Sequence, residues 1–516
     1  MLLSVITMAR SNPVLIRTPG DFSQAGKQSG RVQSAIGAAS WWITLASCVA
    51  AVVLTAAGMS LEGGAIAVLG FAPLYWHLDR RYFPSILVGP CTAIYLFHLA
   101  GYCLGPLAQR YIINIEGFIE SGMIMAQWGA VIGLATFAII YPLFYRKRDW
   151  QGTSEELIGV CDTDSARWKR YTLAMLVVLV IQVLFGFISG ATRRLGTTAE
   201  VTVAVQSLFS ALVDIRTVIW FFLGFGAVRF GRRWALICAA TLVLFSSYTV
   251  LDGTRGPAVF AVLFTAIGAA SAGFSRRNLA LLLVGFAIVF SPVAAIVSTE
   301  YRVFYQGDDL SFVDRATEFT LAVQGYVQVP GTDLADSIAV VLWQSTAHTV
   351  DRIFSLTPRA IPFIGLADMQ RLGYMYLPRL IAPDRPSLQD GGDIACAYAV
   401  AVGEFMAGDP RCGKGNYTPT VGDGYRRLGW WGIPLLYALQ AVIFGLALSY
   451  AWKKKGRVEW VAIFVMFLNL ALGVWSNTLN STFYMLGWII PRDLIIFWGL
   501  GKLADLFTRD RVSIHR

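Results

Sequence analysis

Long apolar runs alternate with short polar connections along most of the chain. A helix needs about 20 apolar residues to cross the hydrocarbon core of a bilayer, and twelve runs approach or exceed that length. They lie at residues 37–58, 63–79, 84–104, 122–145, 171–190, 203–228, 233–251, 256–274, 278–298, 429–452, 459–475 and 482–503. The pattern predicts an all-α polytopic membrane protein with about 12 transmembrane helices.

One long polar stretch, residues 299–428, interrupts this pattern between predicted helices 9 and 10. It holds ten Arg, one Lys, fifteen acidic residues and one His. Apolar residues recur at helical spacing in 311–328 and 337–356, which predicts two amphipathic helices, and a short helix is expected at about 393–407. Tyr, Leu, Ile and Trp are too frequent here for a disordered segment, so a large, partly helical loop is predicted.

Basic residues are distributed unevenly between alternate connections. If the N-terminus is cytoplasmic, the short connections on that side carry 17 Arg and Lys residues, whereas the short outer connections carry 4. By the positive-inside rule, both termini are then cytoplasmic and the long loop lies outside. The predicted parts are a cytoplasmic tail (1–36), helices 1–9 (37–298), the outer loop (299–428), helices 10–12 (429–503) and a second cytoplasmic tail (504–516).

Composition supports this class. The mean hydropathy is +0.58, with 56% hydrophobic and 14% charged residues, which excludes an ordinary soluble domain. The net charge of +10 lies largely on the cytoplasmic rim, so it indicates membrane lipid headgroups as partners and no nucleic acid. Cys396 and Cys412 both fall in the outer loop, where oxidation is allowed, and predict a disulfide; two unpaired thiols are the alternative. No spacing indicates a metal site.

Two arginines at the predicted outer interface are candidates for binding phosphate. Arg255 stands in the turn Asp252-Gly-Thr-Arg-Gly-Pro257, and Arg302 stands where helix 9 leaves the membrane. A guanidinium group is always charged, and its planar fork of donors fits a phosphate with two hydrogen bonds. The alternative is snorkelling, or an ion pair with a neighbouring carboxylate.

The outer loop offers further candidates for binding substrate. Arg379 and Arg385 stand in a Pro-rich element, 377–386, whose fixed backbone can aim both side chains into a cavity; surface arginines on a rigid turn are the alternative. Weaker candidates are Arg352, Arg359, Arg371 and Glu404.

Two loop residues are candidates for proton transfer. His348 is the one histidine predicted outside, and near neutral pH it can accept a proton from an attacking hydroxyl; a partly buried helix residue is the alternative. Asp423 precedes helix 10, where a carboxylate can orient a hydroxyl or hold an arginine; a turn aspartate between glycines is the alternative.

Charged residues also fall inside two predicted spans. Asp214 and Arg216 lie in helix 6, and Arg492 and Asp493 lie in helix 12. Charges within a membrane are costly and mark either internal pairing or a pathway. Pairing is the favoured interpretation, including pairs between the two helices.

The arrangement resembles the O-antigen polymerase and ligase superfamily, which has about a dozen helices and one large loop between helices 9 and 10. Gly253-Thr-Arg-Gly256 is similar to its Ser/Thr-Arg-Gly element, and Arg302 follows helix 9 as an arginine does there. The elements at 377–386 and 418–432 resemble the oligosaccharide repeat unit polymerase branch, although Asp423 stands where Glu is usual. Leu428-Gly429 likewise replaces Phe-Gly.

The resemblance implies a metal-independent glycosyltransferase of the bacterial inner membrane, with no cofactor and with its large loop in the periplasm. Its substrate would be an undecaprenyl-diphosphate-linked glycan, polymerised into a surface polysaccharide, and a chain-length regulator would be a compatible partner. Arg255 and Arg302 would bind the diphosphate and stabilise its leaving charge, while His348 or Asp423 would activate the attacking hydroxyl.

Three other functions are open to comparison. A ligase of the same superfamily would move finished glycan to an acceptor, and His348 leaves this open. A polysaccharide or lipid transporter with two six-helix halves would carry its long linker between helices 6 and 7, in the cytoplasm. A polyprenyl-phosphate sugar transferase would have an acidic pair in a long first outer loop, but here that connection is short and holds Glu62 alone.

Overall fold

The computed structural model describes most of the chain as helix, and its described part contains no strand. The described residues are 22–82, 89–113, 119–145, 161–162, 164–189, 215–251, 253, 256–297, 301, 312–328, 348–374, 391–403, 406, 418–454, 456–472 and 478–513. The predicted all-α class is confirmed for this part of the chain.

The helices described before residue 299 are separated by connections of different lengths. They are α1 (Phe22–Ala56), α2 (Ser60–Leu69), α3 (Ala72–Tyr82), α4 (Pro90–Leu99, extended by irregular helix to Ile113), α5 (Glu120–Phe144), α6 (Ser165–Ser189), α7 (Arg216–Arg229), α8 (Arg232–Leu251), α9 (Gly256–Ser271) and α10 (Arg276–Ile296).

The C-terminal half contains shorter helices followed by long ones. They are α11 (Phe312–Gln328), α12 (His348–Leu356), α13 (Gly391–Ala401), α14 (Thr420–Leu428), α15 (Gly432–Lys453), α16 (Val458–Leu472), α17 (Leu479–Tyr484, joined by π-helix to the next) and α18 (Ile490–Ser513). Two 3₁₀ segments lie at Ala367–Tyr374 and Gly429–Trp431.

The apolar helices make this a membrane-embedded protein. Within the described ranges, seven helical stretches are long and apolar enough to cross a membrane, and α9 and α16 are shorter apolar helices. The seven are Ile36–Ala56, Pro90–Ile112, Glu120–Phe144, Arg232–Leu251, Arg277–Ile296, Thr420–Lys453 and Leu479–Leu506. Each overlaps a predicted span.

The predicted span at 63–79 differs, because the structure has two helices there. α2 ends at Leu69 and α3 begins at Ala72, with Pro73 in its first turn. A proline fits the first turn of a helix, but inside a helix it removes one backbone hydrogen bond, so Pro73 favours a break at this position. The buried Asp79 then accepts hydrogen bonds from the backbone N–H groups of Cys91 (3.0 Å) and Thr92 (2.6 Å), so it caps the start of α4.

Helices α5 and α15 pack against each other and run in parallel. A Cβ atom on Gly133 of α5 would lie 2.6 Å from the Tyr437 ring of α15, so the missing side chain permits the close approach. The buried His98 of α4 contacts the Tyr437 hydroxyl and lies 2.8 Å from the Ile94 carbonyl oxygen. Both α5 and α15 begin at the end of the bundle that carries α12 and α14.

Charged residues group at the two ends of the bundle. Arg110 pairs with Glu120 (2.8 Å) and with Glu62 (3.6 Å) where α5 begins. At the opposite end, Arg229 pairs with Asp162, and Arg167 pairs with carboxylates of α16 and α18. We call the first the capped end, after the helices α12 and α14 that it carries. We call the second the basic end, because Lys and Arg residues follow α5 and α15 in the sequence.

The described charges within the spans have partners on neighbouring positions or helices. Arg492 forms an ion pair of 2.8 Å with the adjacent Asp493, and Arg216 donates a 2.8 Å hydrogen bond to Gln182 of α6. Asp214 lies outside the described residues. Pairing, the favoured interpretation of these charges, therefore holds for Arg492 and Asp493 within one helix.

Candidate functional site

Four short elements from the predicted outer loop cover the capped end, and we call them the cap: α12, the 3₁₀ segment Ala367–Tyr374, α13 and α14. The predicted helix at 311–328 is observed as α11. Of the predicted helix at 337–356, the structure describes α12 alone. The helix expected at 393–407 is observed in part as α13, which ends at Ala401. The loop therefore contains folded helices, as its amphipathic patterns predicted.

Helix α12 lies against the first turn of α5. The buried carboxylate of Asp351 accepts a 3.1 Å hydrogen bond from the backbone N–H of Ile119, just before α5. A Cβ atom on Gly122 would lie 1.9 Å from the Asp351 carbonyl oxygen, so the two backbones are in direct contact. A negative charge near a helix N-terminus is favourable, which helps to fix α12 on the bundle.

Aromatic side chains join α12 to α14. The Phe354 and Tyr425 rings stack with centroids 4.0 Å apart, and Trp430 meets both rings edge-on at 5.5 Å. Gly429 ends α14 with a φ of 61°, a conformation that favours glycine and turns the chain into α15. Through this turn, the cap is joined directly to α15.

Two aspartates and two arginines form a buried group in the cap, which we call the cap cluster: Asp368, Asp423, Arg426 and Arg427. Arg426 lies 2.6 Å from Oδ1 of Asp423, and Nε of Arg427 lies 3.0 Å from its Oδ2. Asp368 bridges the same arginines, at 3.2 Å from Arg426 and 2.5 Å from Arg427. All four side chains are at least four-fifths buried, and Asp423 is fully buried.

Backbone groups complete the cap cluster. Leu479 of α17 donates its N–H to Oδ2 of Asp423 at 2.7 Å. Ile364 and Gly365 donate their N–H groups to the carbonyl oxygens of Arg426 (3.1 Å) and Arg427 (3.2 Å). The cluster therefore ties together α14, α17 and the segment before the 3₁₀ helix.

The electrostatics of the cap cluster favour the ionised form of Asp368. Partial burial raises the pKa of the Asp368 carboxyl, but the hydrogen bond and charge of Arg427 and the charge of Arg426 outweigh burial. The pKa of Asp368 therefore lies below its ordinary value. Removing one member of such a buried group leaves an uncompensated charge, which is strongly destabilising.

Asp423 therefore holds arginines, which is one of the two chemical roles its sequence context leaves open. Arg426, Arg427 and the N–H of Leu479 already occupy both of its oxygens. To accept a proton from a substrate hydroxyl, this carboxylate would have to give up one of those donors. The geometry favours a positioning role within the cap.

One hydrogen bond joins the chain segments that precede the two predicted phosphate-binding arginines. The buried Tyr301 donates its hydroxyl to the carbonyl oxygen of Leu251 at 2.8 Å. Tyr301 directly precedes Arg302, and Leu251 precedes Arg255 by four residues. Arg255 and Arg302 themselves lie outside the described residues, but their neighbours along the chain are in contact.

The remaining predicted site residues are described in part. His348 begins α12, although its side chain is not described, and the half-buried Arg352 follows it by four positions, which places the two on one face of the helix. Cys396 is disulfide-bonded, and Cys48, Cys91, Cys103, Cys161 and Cys238 are free. Arg379, Arg385, Glu404 and the expected disulfide partner Cys412 lie outside the described residues.

Arg426 and Arg427 are site residues that the sequence reasoning missed, together with Asp368. The available signal was their spacing, because positions three and four after Asp423 lie beside it on a helix. Asp368 is 55 positions away along the chain and gives no such local signal.

No family model, curated protein or solved structure matches this chain. Function is therefore inferred from the motifs and from the geometry of the cap and the neighbouring helices.

Proposed function

We propose that the protein is a metal-independent glycosyltransferase that polymerises undecaprenyl-diphosphate-linked repeat units at the outer face of the bacterial inner membrane. The hydrogen bond between Tyr301 and Leu251 carries the proposal, because it joins the chain segments of the two predicted phosphate-binding arginines. Twelve spans, cytoplasmic termini and a periplasmic loop at 299–428 are part of the same proposal.

In the proposed reaction, a sugar hydroxyl of one repeat unit attacks the anomeric carbon of another. The new glycosidic C–O bond forms as the bond from that carbon to the diphosphate breaks, and the lipid diphosphate leaves with the bonding electrons. His348 takes the hydroxyl proton. Arg255 and Arg302 stabilise the charge that develops on the leaving diphosphate.

The cap gives this reaction a rigid surface beside the membrane. The cap cluster fixes α14 against α17, and Asp351 fixes α12 against α5. His348 and Arg352 stand four positions apart on α12, so their backbone positions share one face of the helix. Asp423 acts in this scheme by positioning the cap, and hydroxyl activation belongs to His348.

A rescue assay tests the proposal. The host gene is deleted, and the wild type, Arg255→Ala, Arg302→Ala and His348→Ala are expressed at matched membrane levels, after which the surface glycan is separated on a gel. Arg110→Ala is the control, because Arg110 is a partly exposed arginine at the capped end that pairs with Glu120. We expect a glycan ladder with the wild type and the control, and single repeat units with the three test variants.

Two outcomes would contradict the polymerase. Long lipid-linked chains that accumulate without attachment to an acceptor would indicate a ligase. An unchanged ladder in the deletion strain would contradict any function in joining glycan units and would favour a transporter.

A further inference from the structure

The basic end contains an open cavity of about 250 Å³ between three helices. Its lining residues come from the start of α6, the start of α16 with the residue before it, and the middle of α18: Arg167, Arg457, Glu459, Trp498, Lys502 and Asp505. We call it the basic-end cavity. It lies at the opposite end of the bundle from the cap, so it is separate from the site proposed above.

The floor of the basic-end cavity is an ion-paired group. Arg167 lies 2.5 Å from Oε1 of Glu459 and 3.2 Å from Oδ1 of Asp505, so it joins α6 to α16 and α18. A Cβ atom on Gly501 would lie 2.3 Å from Oε1 of Glu459, which shows that α18 approaches this carboxylate closely. The floor is therefore built by side chains from three helices.

One acceptor in this floor is unsatisfied. Glu459 is 1% exposed, and its Oε2 atom has no hydrogen-bond partner within the described structure. A buried acceptor of this kind costs free energy until a donor reaches it. Glu459 Oε2 can therefore accept a hydrogen bond from a group that carries an N–H or O–H.

The rim of the cavity carries positive charge, whereas the floor holds the unsatisfied acceptor. Arg457 and Lys502 are exposed, and neither forms an ion pair with any described residue. The half-buried Trp498 lies beside them and packs edge-on against Trp460, with centroids 5.8 Å apart. Tryptophan favours the interface between lipid and water, and paired cations favour a phosphate.

We propose that the basic-end cavity binds a phospholipid headgroup in which a phosphate is followed by a terminal hydrogen-bond donor. The phosphate contacts Arg457 and Lys502 at the rim, and the terminal donor reaches Oε2 of Glu459 on the floor. Both ethanolamine and glycerol headgroups have this chemistry. Choline does not, because its quaternary ammonium carries no N–H.

Lipid retention by the full-length protein tests this site. The protein is purified in detergent, mixed separately with phosphatidylethanolamine, phosphatidylglycerol and phosphatidylcholine, and examined by native mass spectrometry for bound lipid. We expect the first two lipids to bind about tenfold more tightly than phosphatidylcholine, the scale of one lost hydrogen bond to a charged group. The two lipids also identify which donor, ammonium or hydroxyl, the cavity prefers.

Two test variants and one control separate the contribution of the rim to lipid binding from that of the floor. Arg457→Ala with Lys502→Ala should lower retention of both lipids, whereas Lys453→Ala with Lys454→Ala, which removes the same charge from the exposed end of α15, should not. Glu459→Gln should reduce the preference over phosphatidylcholine while phosphate binding persists.

Three results would overturn the proposal. Equal retention by the two double variants would show that any basic charge suffices. Retention of phosphatidylcholine equal to that of phosphatidylglycerol would show that the terminal hydrogen-bond donor of the headgroup does not contribute to binding. Displacement of the lipid by soluble glycerol phosphate at similar concentration would identify a free phosphate ester, and no lipid, as the ligand.

Discussion

The two charged clusters at opposite ends of the bundle use the same residue types with different results. In the cap cluster, each aspartate oxygen accepts at least one hydrogen bond. Asp423, Arg426 and Arg427 are buried, and Asp368 is partly buried. In the basic-end cavity, Glu459 keeps one oxygen unsatisfied while Arg457 and Lys502 stay exposed. The first cluster is closed and structural, whereas the second is open to a ligand.

The difference follows from where the charges lie along the chain. Asp423, Arg426 and Arg427 stand on one helix at spacings that bring them together, so one further aspartate completes the group. The basic-end charges come from three helices, and their contact depends on how those helices pack. A site assembled from separate helices can leave space between its members, and a ligand can use that space.

Asp423→Ala should have the largest effect on stability. It leaves Arg426 and Arg427 without their central partner and removes the acceptor of the Leu479 N–H, so we expect a loss of about 3–5 kcal/mol. Unfolding of the purified protein by sodium dodecyl sulfate in mixed micelles measures this change. The matched control is Asp393→Ala, because Asp393 is exposed and lies 3.5 Å from Arg371. The control should lose about 0–1 kcal/mol.

The two variants should therefore differ clearly. If Asp423→Ala were as stable as the control but inactive in the rescue assay, the carboxylate would act in chemistry, and its assignment as a positioning residue would be wrong.

Gly432→Ala and Gly501→Ala compare how well the capped end and the basic end accommodate an added methyl group. A Cβ atom on Gly432 would lie 1.9 Å from the Gly424 carbonyl oxygen, which is backbone and cannot rotate away, so we expect a loss of about 1–3 kcal/mol. On Gly501 it would meet the Glu459 side chain, which can move. Gly501→Ala should therefore cost less stability and should reduce lipid retention instead. The same micelle titration and the native mass spectra measure the two effects.

Sequence patterns predicted the apolar helices well, because a helix in lipid needs a long run of apolar residues and such a run is visible in one sequence. Amphipathic spacing also predicted α11 and the part of the 337–356 helix that is described as α12. They did not predict the break between α2 and α3, because a proline is compatible with both a continued apolar run and a new first turn. They could not assign Asp368 to Arg426 and Arg427, or Arg167 to Glu459 and Asp505, because these contacts depend on tertiary packing.

Acid should weaken the cap cluster through Asp368. Its folded pKa is lowered, so its ionised form contributes stability above the unfolded value of about 3.9, and this contribution is lost as pH falls through the lower folded pKa. The free energy of unfolding should thus fall as pH decreases below about 4. Asp368→Asn should be less stable at neutral pH and should show a smaller fall. An unchanged acid response in this variant would assign the fall to other carboxylates.

Arg457→Ala with Lys502→Ala should have the smallest effect on stability, and this sharpens the contrast between the two ends. Both side chains are exposed and form no ion pair with described residues, so their removal should change the free energy of unfolding by less than about 0.5 kcal/mol each in lipid-free detergent. Added phosphatidylglycerol should then stabilise the wild type but not the double variant, because a ligand stabilises only the protein that binds it. A loss of stability without lipid would instead make these two cations part of the fold, and the basic-end cavity would resemble the cap cluster.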